Sequence, residues 1–111
     1  MQRNERVMDS QLKRGILNIC ILQLLKKEDQ YGYDIIKKLQ EFFPDTEEST
    51  LYAILRRLNK EELTDMYYSE VSNGPQRKYY QITEKGKECL EEYIESWHQI
   101  ENIFSAIGIT T

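Results

Sequence analysis

Between Asp9 and Lys27 the apolar residues Leu12, Ile16, Leu17, Ile19, Cys20, Ile21, Leu22, Leu24 and Leu25 fall on nearly every side of a 3.6-residue spiral. That spacing predicts a helix buried on more than one side, which a small monomer seldom provides and a partner subunit does. Tyr31-Gly32 opens a second helical pattern, in which Tyr33, Ile35, Ile36, Leu39, Phe42 and Phe43 recur until Pro44 ends it. A third helix is expected from Thr46 to about Glu61, capped by Asp45 or Thr46. Asp45-x-x-Glu48 has the form of a capping box. Its inward stripe is Leu51, Ile54, Leu55 and Leu58. Ser49, Thr50, Ala53, Arg56 and Lys60 fall outside, with Tyr52 and Arg57 at the margins.

After Glu61 the period changes. Leu63–Val71 and Gln76–Ile82 are rich in aromatic and β-branched residues and are joined by the turn sequence Ser72-Asn73-Gly74-Pro75, which predicts a β-hairpin. Thr83 then caps a last helix running to about Ile107. Leu90, Tyr93, Trp97, Ile100, Phe104 and Ile107 step along it by alternating threes and fours, the seam of a pairing helix, and Ile94 and Ile103 widen the stripe. The expected fold is α+β and mainly helical. Residues 1–83 form a winged helix-turn-helix, and residues 84–111 a dimerisation helix to which the first helix also contributes.

Composition changes this picture little, and charge changes it more. At 111 residues the chain suits one core and an appended helix. The apolar run Gly15–Leu25, interrupted by Asn18 and Gln23, is too short to span a membrane. The polar start, Met1 to Arg6, lacks the apolar segment of a signal peptide, so a cytoplasmic location is expected. The net charge of −4 at first argues against a nucleic-acid partner. However, Lys85 and Lys87 face Glu84, Glu88, Glu91, Glu92, Glu95 and Glu101 in the last helix, which therefore carries the whole imbalance. The rest of the chain is neutral, and its cations are free to collect on one surface.

The chemistry-bearing residues favour binding over catalysis. Cys20 and Cys89 are far apart and without a Cys/His cluster, so buried thiols are expected and no metal, cofactor or disulfide. His98 is the only histidine and no nucleophile is placed with it; no catalytic residue is expected. A helix that enters a major groove reaches base edges and phosphates with its outer side chains, here Ser49 and Thr50 toward phosphate, Tyr52, and Arg56 and Arg57 toward guanine or phosphate. Arg77 and Lys78, just past the hairpin tip, would reach the flanking backbone or minor groove. Tyr67, Tyr68, Tyr79 and Tyr80 read as hairpin packing rather than as platforms for single strands. Two other classes fit the same pattern. One is an adaptor that recruits a protein through its acidic last helix; the other is a sensor in which a pore between subunits is the main function.

The strings Tyr31-Gly32-Tyr33-Asp34-Ile35-Ile36 and Ser49–Leu58 resemble the PadR family of transcriptional regulators, as do Arg77–Gly86 and Glu95-Ser96-Trp97. The resemblance implies a homodimeric repressor of an operator in double-stranded DNA, paired through its first and last helices. The single short last helix resembles the smaller branch of that family, some of whose members bind flat hydrophobic compounds between subunits. Carried over, this places Trp97 in such a site, with Tyr93 and Glu101 on the same helix and Leu12, Gly15, Asn18 and Ile19 facing the same space. Glu101 would attract a cationic aromatic guest or else be a surface carboxylate. Trp97 equally suits the core of a subunit contact. Two departures stand out: Glu62 occupies a position after the third helix where the family usually has glycine, and Glu47 and Glu48 would repel phosphate, so that they either face away from DNA or read a cytosine amine.

Overall fold

The computed structural model describes residues 8–70 and 74–109. Helix α1 (Ser10–Lys27) is followed by the two-residue strand β1 (Gln30–Tyr31), α2 (Gly32–Phe42) and α3 (Glu48–Lys60). Strands β2 (Thr64–Ser69) and β3 (Arg77–Ile82) and the long α4 (Glu84–Ile107) complete the chain. The sheet is antiparallel in the order β1-β3-β2, with Gln30 opposite Tyr80 and Thr64 opposite Ile82. This is the expected α+β winged helix arrangement. Val71, Ser72 and Asn73 of the predicted strand end and turn lie outside the described residues.

The first three helices surround one core, made by Leu17, Ile21, Leu22 and Leu25 of α1, Ile35, Ile36 and Leu39 of α2, and Leu51, Ile54, Leu55 and Leu58 of α3. Leu63, Tyr80 and Leu90 close it from the sheet and α4. Burying a leucine or isoleucine of this kind contributes about 1.5–3 kcal/mol, so the spacing of these positions is what holds α3 against α1 and α2. Asp9 caps α1 as the amide acceptor for Gln11 and Leu12.

One expectation is corrected here, and one element is new. The third helix begins later than its sequence suggests: Glu47 is its first cap residue and no side chain caps it. The Thr46 side chain is instead folded inward and 5% exposed, and its backbone closes a turn onto the Phe43 carbonyl. Neither Asp45 nor Thr46 therefore reaches the helix amides. Strand β1 has too few residues to show any period, and only its pairing with β3 defines it.

The junction of α3, β2 and α4 is tightly stitched. Glu62 takes φ 65°, the one non-glycine left-handed residue among those described. That conformation costs a side-chain-bearing residue about 1–2 kcal/mol. The surroundings enforce it. The Glu62 carbonyl accepts a 2.7 Å bond from the Thr83 hydroxyl, which in turn accepts from the Gly86 amide. The Lys85 ammonium donates to the Glu61 carbonyl, and the Thr83 amide to Leu63. A Cβ on Gly86 would overlap the Leu63 carbonyl and come within 2.8 Å of Ile82 Cγ1, so only glycine admits this approach.

Candidate nucleic-acid interface

The amphipathic pattern of α3 puts Leu51, Ile54, Leu55 and Leu58 inward and leaves Ser49, Thr50, Ala53, Arg56 and Lys60 exposed on the other side. Tyr52 is half-buried at one margin. Beside it lies a crevice of about 190 Å³ bounded by Tyr31, Gly32, Tyr33, Tyr52, Arg56, Lys78 and Tyr80. The fold thus gathers Tyr52 and Arg56 of α3 with Lys78 of the wing around one depression. Two cations from elements distant in sequence face the same space there.

The wing is held by tyrosines. Tyr67 stacks on Tyr79 at 5.7 Å, and Tyr79 meets Tyr31 at 6.0 Å because β1 pairs with β3 at that register. Tyr31 also meets Tyr33 at 6.1 Å. The Arg77 guanidinium lies 4.9 Å from the Tyr31 ring centre and the Lys78 ammonium 5.6 Å from that of Tyr80. Both cations therefore stand on aromatic faces at the sheet surface, which restricts their long side chains while leaving their charge available. The Tyr67 hydroxyl donates to Asp29 at 2.8 Å, and that bond raises the phenol above its ordinary pKa.

Arg57 stands on the other margin of α3, as its spacing predicts. It is half-buried, and its Nη2 donates a 2.8 Å hydrogen bond to the Asn18 Oδ1 of α1. Arg57 thus joins α3 to the first helix. Asn18 is engaged by the same bond. Glu48 is drawn toward α2 by Lys37, 3.8 Å away, so one of the two carboxylates at the start of α3 has a cationic neighbour of its own.

The residues expected between subunits divide into two groups. Leu90 is fully buried within the chain's own core, which leaves it no surface for a second molecule; its place in the predicted seam is corrected accordingly. Tyr93 and Ile100 are half-buried, whereas Trp97, Phe104 and Ile107 are exposed. Burial first, and then the adjacent Cys89, push the Tyr93 phenol up, with Asn18 opposing. On α1, Leu12 and Gly15 are exposed and Ile19 half-buried. Ile16 and Ile19 face Ile94 and Trp97 across an open apolar hollow of about 260 Å³. Sequence reasoning does not assign Ile16 and Ile94 to this hollow: Ile16 belongs to the all-round apolar pattern of α1, and Ile94 widens the seam stripe of α4. Glu101 sits 3.1 Å from the His98 ring nitrogen on the outer surface. Burial raises the Cys20 thiol, which disfavours the reactive thiolate.

Among the described residues no group of three or more His, Cys, Asp or Glu side chains is placed to hold a metal ion. No described helix is long and apolar enough to cross a membrane.

Comparison with known proteins agrees with this architecture. Residues 21–92 match the model of the transcriptional regulator PadR-like family. The crystal structure of a PadR-like transcriptional regulator from Bacillus cereus is 37% identical and superposes with a TM-score of 0.79, covering 92% of this chain and 100% of that one. A PadR family transcription regulator from Clostridium difficile is 36% identical with a TM-score of 0.74, covering 82% of this chain and 96% of that one. An uncharacterised protein of Lysinibacillus sphaericus is 39% identical over 97 residues, which are 85% of this chain and 89% of that protein. With the family match spanning most of the chain and the fold shared along nearly all of it, the protein belongs to the PadR-like family of transcriptional regulators.

Proposed function

We propose that the protein is a homodimeric repressor that binds a pseudo-palindromic operator, with α3 of each subunit in successive major grooves and the wing on the flanking backbone. The observation that carries the DNA reading is the shared crevice of Tyr52, Arg56 and Lys78, beside the exposed Ser49 and Thr50. Guanidinium and ammonium groups brought together from α3 and the wing suit phosphate and guanine acceptors. Pairing is supported by the apolar run left bare on α4, where Ile107 is 69% and Trp97 42% exposed, and by Leu12 on α1, 64% exposed. Isolated exposed apolar residues are ordinary, but a run along one helix marks a contact surface.

A flat hydrophobic effector, cationic or neutral, is proposed to enter the hollow of Ile16, Ile19, Ile94 and Trp97. Its apolar walls and the exposed indole suit such a guest. It would act by preferring a subunit spacing that mismatches the operator.

The test is a fluorescence-anisotropy titration of duplex DNA taken from upstream of the protein's own gene. The Arg56→Ala/Arg77→Ala double variant should bind at least about tenfold more weakly, given about 1–3 kcal/mol for each good contact to a base. Its melting curve should match the wild type. Wild-type affinity in the variant would remove the assigned surface, and a wild-type chain that stays monomeric at micromolar concentration would remove the operator model.

A further inference from the structure

A second and larger depression, about 520 Å³, opens between the start of α1 and the start of α3. Ser10, Lys13, Arg14 and Leu17 line it from α1, and Thr50, Ala53, Ile54 and Arg57 from α3. The connecting turn supplies Asp45, Thr46 and Glu47. We propose that this cleft seats a phosphate of the DNA backbone, with Lys13, Arg14 and Arg57 as its cationic contacts, so that the first helix is a third DNA-contacting element. The inference rests on the DNA-binding reading above and extends it to residues which that reading leaves unused.

Four observations carry it. The first is charge. Three cations line the cleft against the two carboxylates of Asp45 and Glu47, and among the described residues neither Lys13 nor Arg14 has an ion-pair partner. Arg57 has one described side-chain bond, to Asn18; this fixes the guanidinium at the cleft wall while its other N–H donors remain for an anion.

The second is polar supply. The hydroxyl of Thr46 is buried within this lining and has no hydrogen-bond partner. A buried polar group left unpaired in this way is destabilising, and an incoming oxygen acceptor relieves that cost. Helix α3 also starts here with no side-chain cap; its Thr50 and Leu51 amides are bonded to the Glu47 carbonyl, which leaves those of Glu48 and Ser49 for an anion.

The third is position. Thr50 and Ala53 belong both to the exposed outer face of α3 and to the cleft wall, so a duplex lying along α3 passes the mouth of the cleft. The fourth is helical phase. Ser10, Lys13, Arg14 and Leu17 share one side of α1 by the i, i+3, i+4, i+7 rule, and Leu12, Gly15 and Ile19 lie on the other. Pairing through that second side leaves the cationic side open. Asp45 and Glu47 weaken the attraction without cancelling it, which keeps the site selective for an anion that also fits the adjoining α3 surface.

The experiment compares the salt dependence of duplex binding for the full-length wild type and the Lys13→Ala/Arg14→Ala variant. Each lost phosphate contact lowers the slope of log affinity against log salt by about 0.9, so the homodimeric variant, losing one phosphate at each of its two clefts, should lose about 1.8. It should also bind about tenfold more weakly at low salt, to a similar extent on every sequence. The charge-preserving Lys13→Arg/Arg14→Lys variant should keep the wild-type slope. The Asp45→Asn/Glu47→Gln variant should bind more tightly than wild type, by a few fold. Unchanged slope and affinity in Lys13→Ala/Arg14→Ala, with wild type binding normally, would overturn the cleft alone. So would a variant whose sedimentation shows lost subunit pairing in place of lost salt dependence. A wild type that binds no duplex at low salt would overturn the DNA reading and this extension together.

Discussion

The two halves of α4 share one sequence pattern and meet opposite surroundings. In the inner half, Glu84–Ile94, Thr83 caps the helix, Gly86 lies against the Leu63 backbone, and Leu90 is sealed in the core with Cys89, Tyr93 and Ile94 packed beside it. In the outer half, Glu95–Ile107, the same alternation of threes and fours continues through Trp97, Ile100, Phe104 and Ile107, yet most of these side chains stand exposed. Apolar period states which side of a helix avoids water. It does not state whether the chain's own core or another molecule covers that side.

The sharpest way to break this contrast is to empty the inner half. Leu90→Ala should cost about 2–5 kcal/mol, because it removes a fully buried side chain and leaves a cavity among packed neighbours. Urea denaturation measures it; a cost under about 1 kcal/mol would mean that the inner half is no better anchored than the outer. The junction that sets this half in place offers a change of opposite sign. Glu62→Gly should stabilise by about 0.5–1 kcal/mol, since relief of the left-handed backbone exceeds the added freedom of the unfolded chain. A loss of stability in the same assay would show that the Glu62 side chain contributes more than its backbone costs.

The outer half should give the smallest effect on the single chain. Ile107→Ser is expected to shift its stability by less than about 0.5 kcal/mol at dilutions where the subunits are apart. At higher concentration the same variant should weaken association, read by sedimentation equilibrium. A large loss of stability at high dilution would place Ile107 in an intrachain contact and erase the difference between the halves.

Much of the candidate site was legible along the chain. The outer positions of α3 and the cations behind the wing turn follow from helical and strand periods together with turn chemistry, and the structure sets Tyr52, Arg56 and Lys78 around one crevice. The tie of Arg57 to α1 was not legible. At the margin of a helix, a residue's direction depends on what the neighbouring helix offers, and here Asn18 lies within 2.8 Å. The cleft that unites Lys13 and Arg14 with α3 was hidden for a related reason, because its two walls lie far apart in sequence.

By itself, the sequence determined the order of the helices and the hairpin, the inward stripe of α3, the capping of α4 by Thr83 and the acidity of that helix. Each of these rests on neighbours within a turn or two of chain, where period and capping chemistry act. Tertiary structure alone decided that Thr46 turns inward, that Glu62 adopts a left-handed turn, that Leu90 belongs to the chain's own core, and that Arg57 is tied to α1. Those outcomes depend on distances between elements brought together by folding, and such distances are written in no local stretch of residues.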